Sequence, residues 1–256
     1  MQNPNVIKNT GDGSDTLISG AFNQPYHSLS GAVAESRYVY FETSGLADEL
    51  SESKDLTLLE IGFGTGMNLI LLLDYISKSD SSSTVHFYSV EAYPIDQKTA
   101  ASVTFGYDIA NPEYSKLLSG IFSSLKSGWN TMHISEKVTL HLFIGTFGEM
   151  ELNGIKPIDY VLHDPFSPDS NPAGWTQDLF SKIAKHSSDN AMLTTYSAAS
   201  SARATMAVAG WYIARAPGAL GKREMTVASK NPEKLSHLKQ VNEKRLIERF
   251  EDGDFR

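Results

Sequence analysis

The chain has 256 residues, none of them cysteine, with 41% hydrophobic and 20% charged residues and a formal net charge of -8. That length suits one α/β domain with decorations, and the lack of thiols excludes a disulfide scaffold, thiolate metal sites and a cysteine nucleophile, in keeping with a reducing cytosol. The N-terminus lacks the basic flank and apolar run of a signal peptide, and the longest aliphatic stretch, LILLL at 69–73, is too short to span a bilayer, so a soluble, cytoplasmic protein is expected.

Residues 1–50 read as an N-terminal extension ahead of the first core strand, and Tyr26, His27, Ser28, Glu35 and Tyr38 within it are expected to fold back as a lid. A buried strand follows at 56–61. From Gly66 a helix begins whose apolar residues, Met67, Leu69, Ile70, Leu71, Leu73 and Ile76, are too dense for an exposed face. VHFYSVE at 85–91 is a second strand ending in an acid, and Pro94 then fits the first turn of another helix. Residues 107–135 break the rhythm and read as an inserted helical subregion. Further strands are expected at 138–144, 158–162 and 191–195, with helices at 175–186 and 198–209, so that strand and helix alternate as a parallel sheet requires. Segments 211–215 and 224–229 suggest a closing hairpin, and 232–250 a charged helix. One Rossmann-like domain over 51–230, with a C-terminal charged helix in 231–256, is the organisation this implies.

Charge is uneven. Residues 203–245 carry nine Lys and Arg against three Asp and Glu, which makes that segment +6 and the remainder -14. Such a patch can meet a polyanion, although helical surface charge explains most clusters of this kind.

The stretch LLEIGFGTGMN at 58–68 carries the first chemical signal. A dinucleotide fingerprint would place glycines at 62, 64 and 67, whereas here Gly62, Gly64 and Gly66 are followed by Met67, and no Gly-Lys-Ser/Thr supports a phosphate loop. Three glycines after a strand allow backbone to approach a ligand closely. Glu60, just before the loop, can reach an ammonium group, and Glu91, at the end of the next strand, can take two ribose hydroxyls; Asn68 at the helix start is counted with them. An amino acid joined to a nucleoside satisfies these groups together, which points to S-adenosylmethionine. The arrangement resembles the class I methyltransferases, an α/β fold with a mostly parallel seven-stranded sheet.

The loop after the fourth strand, HDPFSPDSNPAGW at 163–175, should face the reacting methyl, because ligands of open α/β sheets sit beyond the carboxyl ends of the strands. Pro165 and Pro168 stiffen it around Asp164 and Phe166. An amine acceptor must lose a proton to expose its lone pair, and Asp164 can take that proton; Phe166 can stack on a base. The plainer alternative has Asp164 capping a turn and Phe166 in the core. No histidine pair has metal-ligand spacing, so no metal is assigned. His163, at a strand end, is expected to be neutral and hydrogen-bonded, and Trp175 to pack at a helix start. Neither Ser28 nor Ser197 has the context of a hydrolase nucleophile.

GDGSDTL (11–17), YHSLSGAVAESRYVYF (26–41), LEIGFGTGMN (59–68), FYSVEAYPI (87–95), VLHDPFSPDSNPAGWTQDLF (161–180) and LGKREMTVAS (220–229) occur in this order. Together they resemble the methyltransferase half of the MnmC family over roughly residues 11 to 230. The resemblance implies S-adenosylmethionine-dependent methylation of 5-aminomethyl-2-thiouridine at the tRNA wobble position, giving 5-methylaminomethyl-2-thiouridine. It matches Gly62, Gly64, Gly66 and Glu91 to cofactor motifs, Asp164 to the acid of the catalytic loop, and Lys222 and Arg223 to a basic tail, here assigned to tRNA phosphate or the anticodon loop. Glu35 is backed as a carboxylate near a cationic ligand.

Two departures stand out. The flavin oxidase that many members carry has no room before Arg256, so oxidase activity is expected to be absent, with a separate oxidase as a possible partner supplying the substrate. After the third strand relatives commonly have Gly-Asp, and this chain has Gly145-Thr146; Thr146 can still accept a bond from the adenine amino group, more weakly. Two other readings stay open at this stage: a methyltransferase for a small amine or a protein, which the net charge suits, and a catalytically silent RNA-binding protein of the same fold.

Overall fold

The computed structural model describes residues 4–52, 54–109 and 111–255. The N-terminal extension opens with a two-stranded antiparallel hairpin, β1 (Val6–Asn9) and β2 (Asp15–Ile18). Between them Asp12 turns toward the next helix, α1 (Ala32–Ser36), where its carboxylate accepts Ala34 N at 2.9 Å and Ser14 N at 3.0 Å. That acid thus takes an otherwise orphaned amide at the helix start, which explains why GDGSD precedes the extension's helical part. α1 runs directly into a π-helical turn, Arg37–Glu42, and a short α2 (Leu46–Glu49) follows.

The central sheet begins with β3 (Asp55–Ile61), which leads into α3 (Met67–Ser77). α3 is apolar all round because it is covered on every side: nine of its residues, from Met67 to Ile76, are buried. β4 (Thr84–Glu91) follows, then α4 (Gln97–Ser102), whose cap is Asp96 accepting Thr99 N at 2.9 Å. Pro94 therefore lies ahead of this helix rather than in its first turn. α5 (Pro112–Ser124) starts at Asn111 and Pro112 and buries Leu118, Ile121 and Phe122 at helical spacing. The segment expected to be a helical insertion also contains a strand, β5 (Gly128–His133), with strictly alternating burial, antiparallel to β6 (Val138–Ile144). The period-two alternation of Trp129, Thr131 and His133 against Asn130 and Met132 is the physical reason it joins the sheet.

β7 (Ile158–His163), a 3-10 turn (Pro172–Trp175), α6 (Gln177–His186), β8 (Ser187–Thr195) and α7 (Ser200–Val208) complete the alternating part. The hairpin foreseen near the end is formed by β9 (Tyr212–Ala216) and β10 (Met225–Ser229), joined through a 3-10 turn at Ala219–Gly221. The expected single helix over 232–250 is divided instead: a 3-10 turn at Pro232–Leu235, a two-residue strand β11 (Lys239–Gln240), and α8 (Glu243–Glu251) capped by Asn242. Two separate Asn caps, Asn231 and Asn242, start two separate turns here.

The sheet has nine strands in the order β11-β9-β10-β8-β7-β3-β4-β6-β5. The run β8-β7-β3-β4-β6 is parallel, and the strands outside it pair antiparallel. Edge strands β5 and β11 account for the excess over the seven expected. One face packs Leu58, Phe87, Leu140 and Leu162 against α1, α3 and α5; the other packs Leu59, Val90, Val161 and Leu193 against α6 and α7. Since β3 precedes both β4 and β7 in the chain yet lies between them, the strand order reverses there, and a crevice opens beyond the carboxyl ends of β3 and β7.

Candidate active site

That crevice is a cavity of about 1410 Å³, and the glycine loop forms its floor. Gly62 has φ +96°, and a Cβ there would lie 2.9 Å from the Asp164 carbonyl oxygen, so the loops after β3 and β7 are pressed together at this residue. Gly66 has φ +80° and begins α3, and a Cβ there would meet Leu118 Cδ2 of α5 at 2.5 Å. The third glycine is covered from above: Tyr26 Cδ1 would be 3.1 Å from a Cβ at Gly64. The three glycines are thus each demanded by a different neighbour; Gly62 and Gly64 also line the cavity, whereas Gly66, expected at the cofactor, is turned to the packing of α5 and is not among the lining residues.

Glu91 lines the cavity at the end of β4. Its Oε2 accepts Gly64 N at 2.9 Å and its Oε1 accepts Tyr93 N at 2.7 Å, so both carboxylate oxygens are aimed by backbone amides and keep lone pairs for two hydroxyls. Burial pushes its acidity down in spite of those bonds. Thr146 lines the cavity one strand along, after the end of β6, with its N and Oγ1 bonded to Glu149 Oε2 at 2.8 and 2.7 Å. The Thr146 hydroxyl spends its proton on Glu149, so it faces a ligand as an acceptor.

Glu60 and Asn68, expected beside the cofactor, lie beneath the loop and are not among the cavity-lining residues. Glu60 is 1% exposed; its Oε1 accepts Asn68 Nδ2 at 2.9 Å and its Oε2 accepts Ser89 Oγ at 2.5 Å. Burial raises its pKa to about 8, against the opposing effect of those two bonds. Its service is to tie β3, β4 and the start of α3 together under the glycines.

Asp164 stands in the cavity wall immediately after β7, its amide donating to the Ile61 carbonyl at 3.0 Å. Burial pushes its carboxyl well above the usual range; Tyr40, as hydrogen-bond donor, opposes this, while Glu60 and Glu35 add to it. The loop that carries it is strapped by three side chains donating to backbone carbonyls. Tyr196 Oη donates to Pro165 O at 2.8 Å, Trp175 Nε1 to Phe166 O at 2.8 Å, and His163 Nε2 to Gly174 O at 2.8 Å. His163 is fully buried and held neutral, its pKa lowered by burial to about 3, as a strand-end histidine in this place was expected to be. Trp175, 4% exposed, packs edge-on to His163 at 4.4 Å.

The extension folds over this loop. Phe166 stacks on Phe22 at 4.4 Å and meets Tyr26 edge-on at 5.0 Å, and Gln24 exchanges hydrogen bonds with Ser167 at 3.1 and 3.2 Å. An aromatic wall of Phe22, Tyr26 and Phe166 results, next to Asp164 and of the kind on which a base can stack. His27 lies in the same wall, 9% exposed and kept neutral by burial, with its pKa lowered to about 4. Glu35 of α1 accepts Ser28 N at 2.7 Å and pairs with Lys222. Lys222 therefore lines the cavity, its ammonium also 5.9 Å from the Tyr196 ring centroid. Arg223, its neighbour in the expected tRNA contact, is exposed and outside the lining. Tyr40 and Tyr196 carry no chemical signal of their own in the sequence: Tyr40 is one of several aromatic residues within the 26–41 segment, and Tyr196 follows a strand outside any motif. Among the described residues no group of three or more His, Asp or Glu is placed to hold a metal, and no helix is long and apolar enough to cross a membrane.

The cavity fits S-adenosylmethionine on the donor set alone. Strands lie about 4.8 Å apart, so Thr146, Glu91, Gly62 and Asp164, at the ends of the consecutive neighbours β6, β4, β3 and β7, form a row long enough for adenine, ribose and the methionine arm in turn. A sequence profile described as an S-adenosyl-L-methionine-dependent methyltransferase matches residues 111–231. Fold and site have the arrangement of the class I S-adenosylmethionine-dependent methyltransferases, to which the matching profile is similar. More particularly, the chain is similar to MnmC proteins. It is 29% identical over 221 residues to the tRNA 5-methylaminomethyl-2-thiouridine biosynthesis bifunctional protein MnmC of Aromatoleum aromaticum, covering 84% of this chain and 34% of that protein. The MnmC of Campylobacter hominis is 29% identical over 213 residues, covering 82% and 30%. The crystal structure of MnmC2 from Aquifex aeolicus superposes with a TM-score of 0.73 at 26% identity, covering 96% of this chain and 75% of that one. The chain spans about a third of the length of the curated relatives it matches.

Proposed function

We propose that the chain methylates the primary amine of 5-aminomethyl-2-thiouridine at the wobble position of tRNA, giving 5-methylaminomethyl-2-thiouridine. The observation that carries this is Asp164: a carboxylate of raised basicity at the end of β7, beside Gly62 and next to an aromatic wall, in a cavity larger than the roughly 300–1,000 Å³ of a typical small-molecule site. The surplus volume admits a nucleoside beside the cofactor. When bound, S-adenosylmethionine would supply an electrophilic methyl, with the neutral thioether as the leaving group of its transfer to the amine.

The residues do the rest. Glu91 holds the ribose hydroxyls, Thr146 accepts from the adenine amino group, and Phe166 with Phe22 and Tyr26 stacks the uracil ring and excludes water. Asp164 takes the proton that the ammonium must lose, and alignment of the amine with the methyl carbon at about 3 to 3.5 Å supplies most of the remaining acceleration. Exposed Arg223 serves the tRNA backbone, and residues 4–36 act as a lid. A cytoplasmic location follows from such a substrate, and an oxidase acting on a carboxymethyl precursor is the partner that would supply it.

The test is a transfer assay with labelled S-adenosylmethionine and tRNA from a strain accumulating the aminomethyl nucleoside, digested and read by mass spectrometry. A methylaminomethyl nucleoside is the expected product. A second reading, methylation of a small amine, draws on the net charge of -8; cofactor binding with no product on this tRNA and no tRNA retention at low salt would replace the first reading with it.

A further inference from the structure

We propose that the ion pair of Lys222 and Glu35 reads the pyrimidine: Lys222 Nζ donates to O4 of the wobble uracil and the Glu35 carboxylate accepts its N3–H, so that a cytosine in the same place is rejected. The inference rests on the reading of the acceptor as an aminomethyl uridine and adds the groups that recognise its ring. Both side chains line the cavity, Glu35 from α1 and Lys222 from the connection between β9 and β10. Their contact leaves both with bonds to make. Glu35 Oε2 accepts Ser28 N at 2.7 Å and Oε1 accepts Lys222, so each oxygen keeps a second lone pair. Lys222 has three N–H donors, and among the described residues Glu35 is its one hydrogen-bond acceptor. Its side chain is 45% exposed, which keeps the other donors open to the cavity.

The pair stands against the loop that carries Asp164. Lys222 Nζ lies 5.9 Å from the Tyr196 ring centroid, and Tyr196 Oη donates at 2.8 Å to the carbonyl of Pro165, the residue between Asp164 and Phe166. Ser28, whose amide aims Glu35, is two residues from Tyr26, which meets Phe166 edge-on. A uracil stacked on Phe166 with its 5-aminomethyl group at Asp164 has O4 on the neighbouring ring carbon and N3–H on the next atom. That edge is an acceptor followed by a donor, and an ammonium beside a carboxylate is its complement. Cytosine has an amino group at C4 and a bare N3, which sets donor against donor and acceptor against acceptor. The chain accepts backbone strain to bring Lys222 here. Leu220 has φ +51°, a left-handed conformation rare for a bulky residue, and at 45% exposure little burial offsets the cost. Gly221 follows at φ +80°, and a Cβ at Gly218 would lie 2.6 Å from the Lys222 carbonyl oxygen. Tyr38 Oη donates to Pro217 O at 3.1 Å and ties the connection to the extension that bears Glu35.

Anticodon stem-loops that differ only in carrying 5-aminomethyl-2-thiouridine or 5-aminomethyl-2-thiocytidine at the wobble position offer the same amine on opposite edges. Wild type should favour the uridine loop in kcat/KM by roughly tenfold to a hundredfold. Glu35→Gln keeps the shape and can still accept Ser28 N, but its amide can turn oxygen or NH2 to the base, so the preference should fall about tenfold while KM for S-adenosylmethionine stays within about twofold. Lys222→Met should lower kcat/KM on the uridine loop about tenfold and not on the cytidine loop. Equal use of the two loops by wild type overturns the proposal, as do losses in Glu35→Gln and Lys222→Met that are the same on both loops, since the pair then serves the ammonium, the cofactor or the fold. Where wild type methylates neither loop, the acceptor assignment fails and anisotropy of the labelled loops decides the proposal by itself. A uridine preference in binding that Glu35→Gln lessens upholds it, and equal binding overturns it.

Discussion

An acceptor that arrives as an ammonium must pass one proton to the carboxylate before its lone pair can attack, so the pair that holds two protons is the unproductive one. A second proton, on Asp164 at low pH, leaves nothing to accept the one the amine must lose. Because burial raises Asp164 above the ordinary carboxylate range, this acid limb of kcat should lie above the usual aspartate region near pH 4. Asp164→Asn should keep cofactor affinity within several-fold, lower kcat by about 10²–10⁴, and abolish the limb. Calorimetric binding beside a pH–rate profile checks both, and near-wild-type turnover would remove Asp164 from its role. Glu60 is perturbed in the same direction for a structural reason. Its folded value of about 8 lies above the 4.5 of an unperturbed glutamate, so the folded state binds the proton more tightly. Its contribution to stability is then fully present below pH 4.5 and is lost as pH rises through about 8. Glu60→Gln, isosteric with the protonated acid, should flatten the decline in Tm between those values; an unchanged decline would show that another group is responsible.

At the scale of elements, the glycine loop has a mechanical side separable from its ligand. Gly66→Ala forces a residue at φ +80° and drives a methyl against Leu118, a strain of about 1–3 kcal/mol. Leu118→Ala in the same chain should return part of that stability by opening space, which denaturant titration of the single and double variants would reveal; an additive result would assign the cost to backbone strain alone. The strands after which function sits were legible because each is a short apolar run that ends in a glycine, an acid or a proline loop. Hence β3, β4, β6 and β7 were located almost to the residue, together with the loops bearing Gly62, Glu91, Thr146 and Asp164. β5 was not, since Trp129, Thr131 and His133 are a weak apolar signal that becomes a strand only through pairing with β6. The placement of Glu60 was hidden for a similar reason. Its sequence position predicts the right strand end, but the side chain faces Ser89 and Asn68 beneath the loop, and only the strand pairing sets which face it takes. Tyr40 depends on a π turn, which has no sequence period to betray it.

On the whole molecule, net charge -8 means that the proposed tRNA would have to be met through local geometry rather than overall attraction, and the +6 segment at 203–245 does not form a single patch. Arg203, 4% exposed, and Arg215 both pair with Glu224 at 3.3 Å and brace β10. Lys222, although its side chain is 45% exposed, is paired with Glu35 at the cavity wall, and Lys244 reaches Glu248 along α8 at 4.0 Å. Arg223, exposed, outside the cavity lining and in no ion pair among the described residues, is therefore the better candidate for phosphate, although the sequence offers Lys222 and Arg223 as equivalents. Removing one cation from a phosphate should lower the slope of log affinity against log salt by about 1. Arg223→Ala should weaken tRNA binding and reduce that slope by about this amount, with cofactor affinity unchanged. Lys222→Ala should leave the slope as in wild type and act instead on kcat/KM, because its partner is Glu35 rather than a phosphate. Fluorescence anisotropy of labelled tRNA over a salt series separates the two. A reduced slope in Lys222→Ala would mean that tRNA draws this lysine out of its ion pair, and the cavity would then have to be understood as rearranging when the anticodon loop arrives.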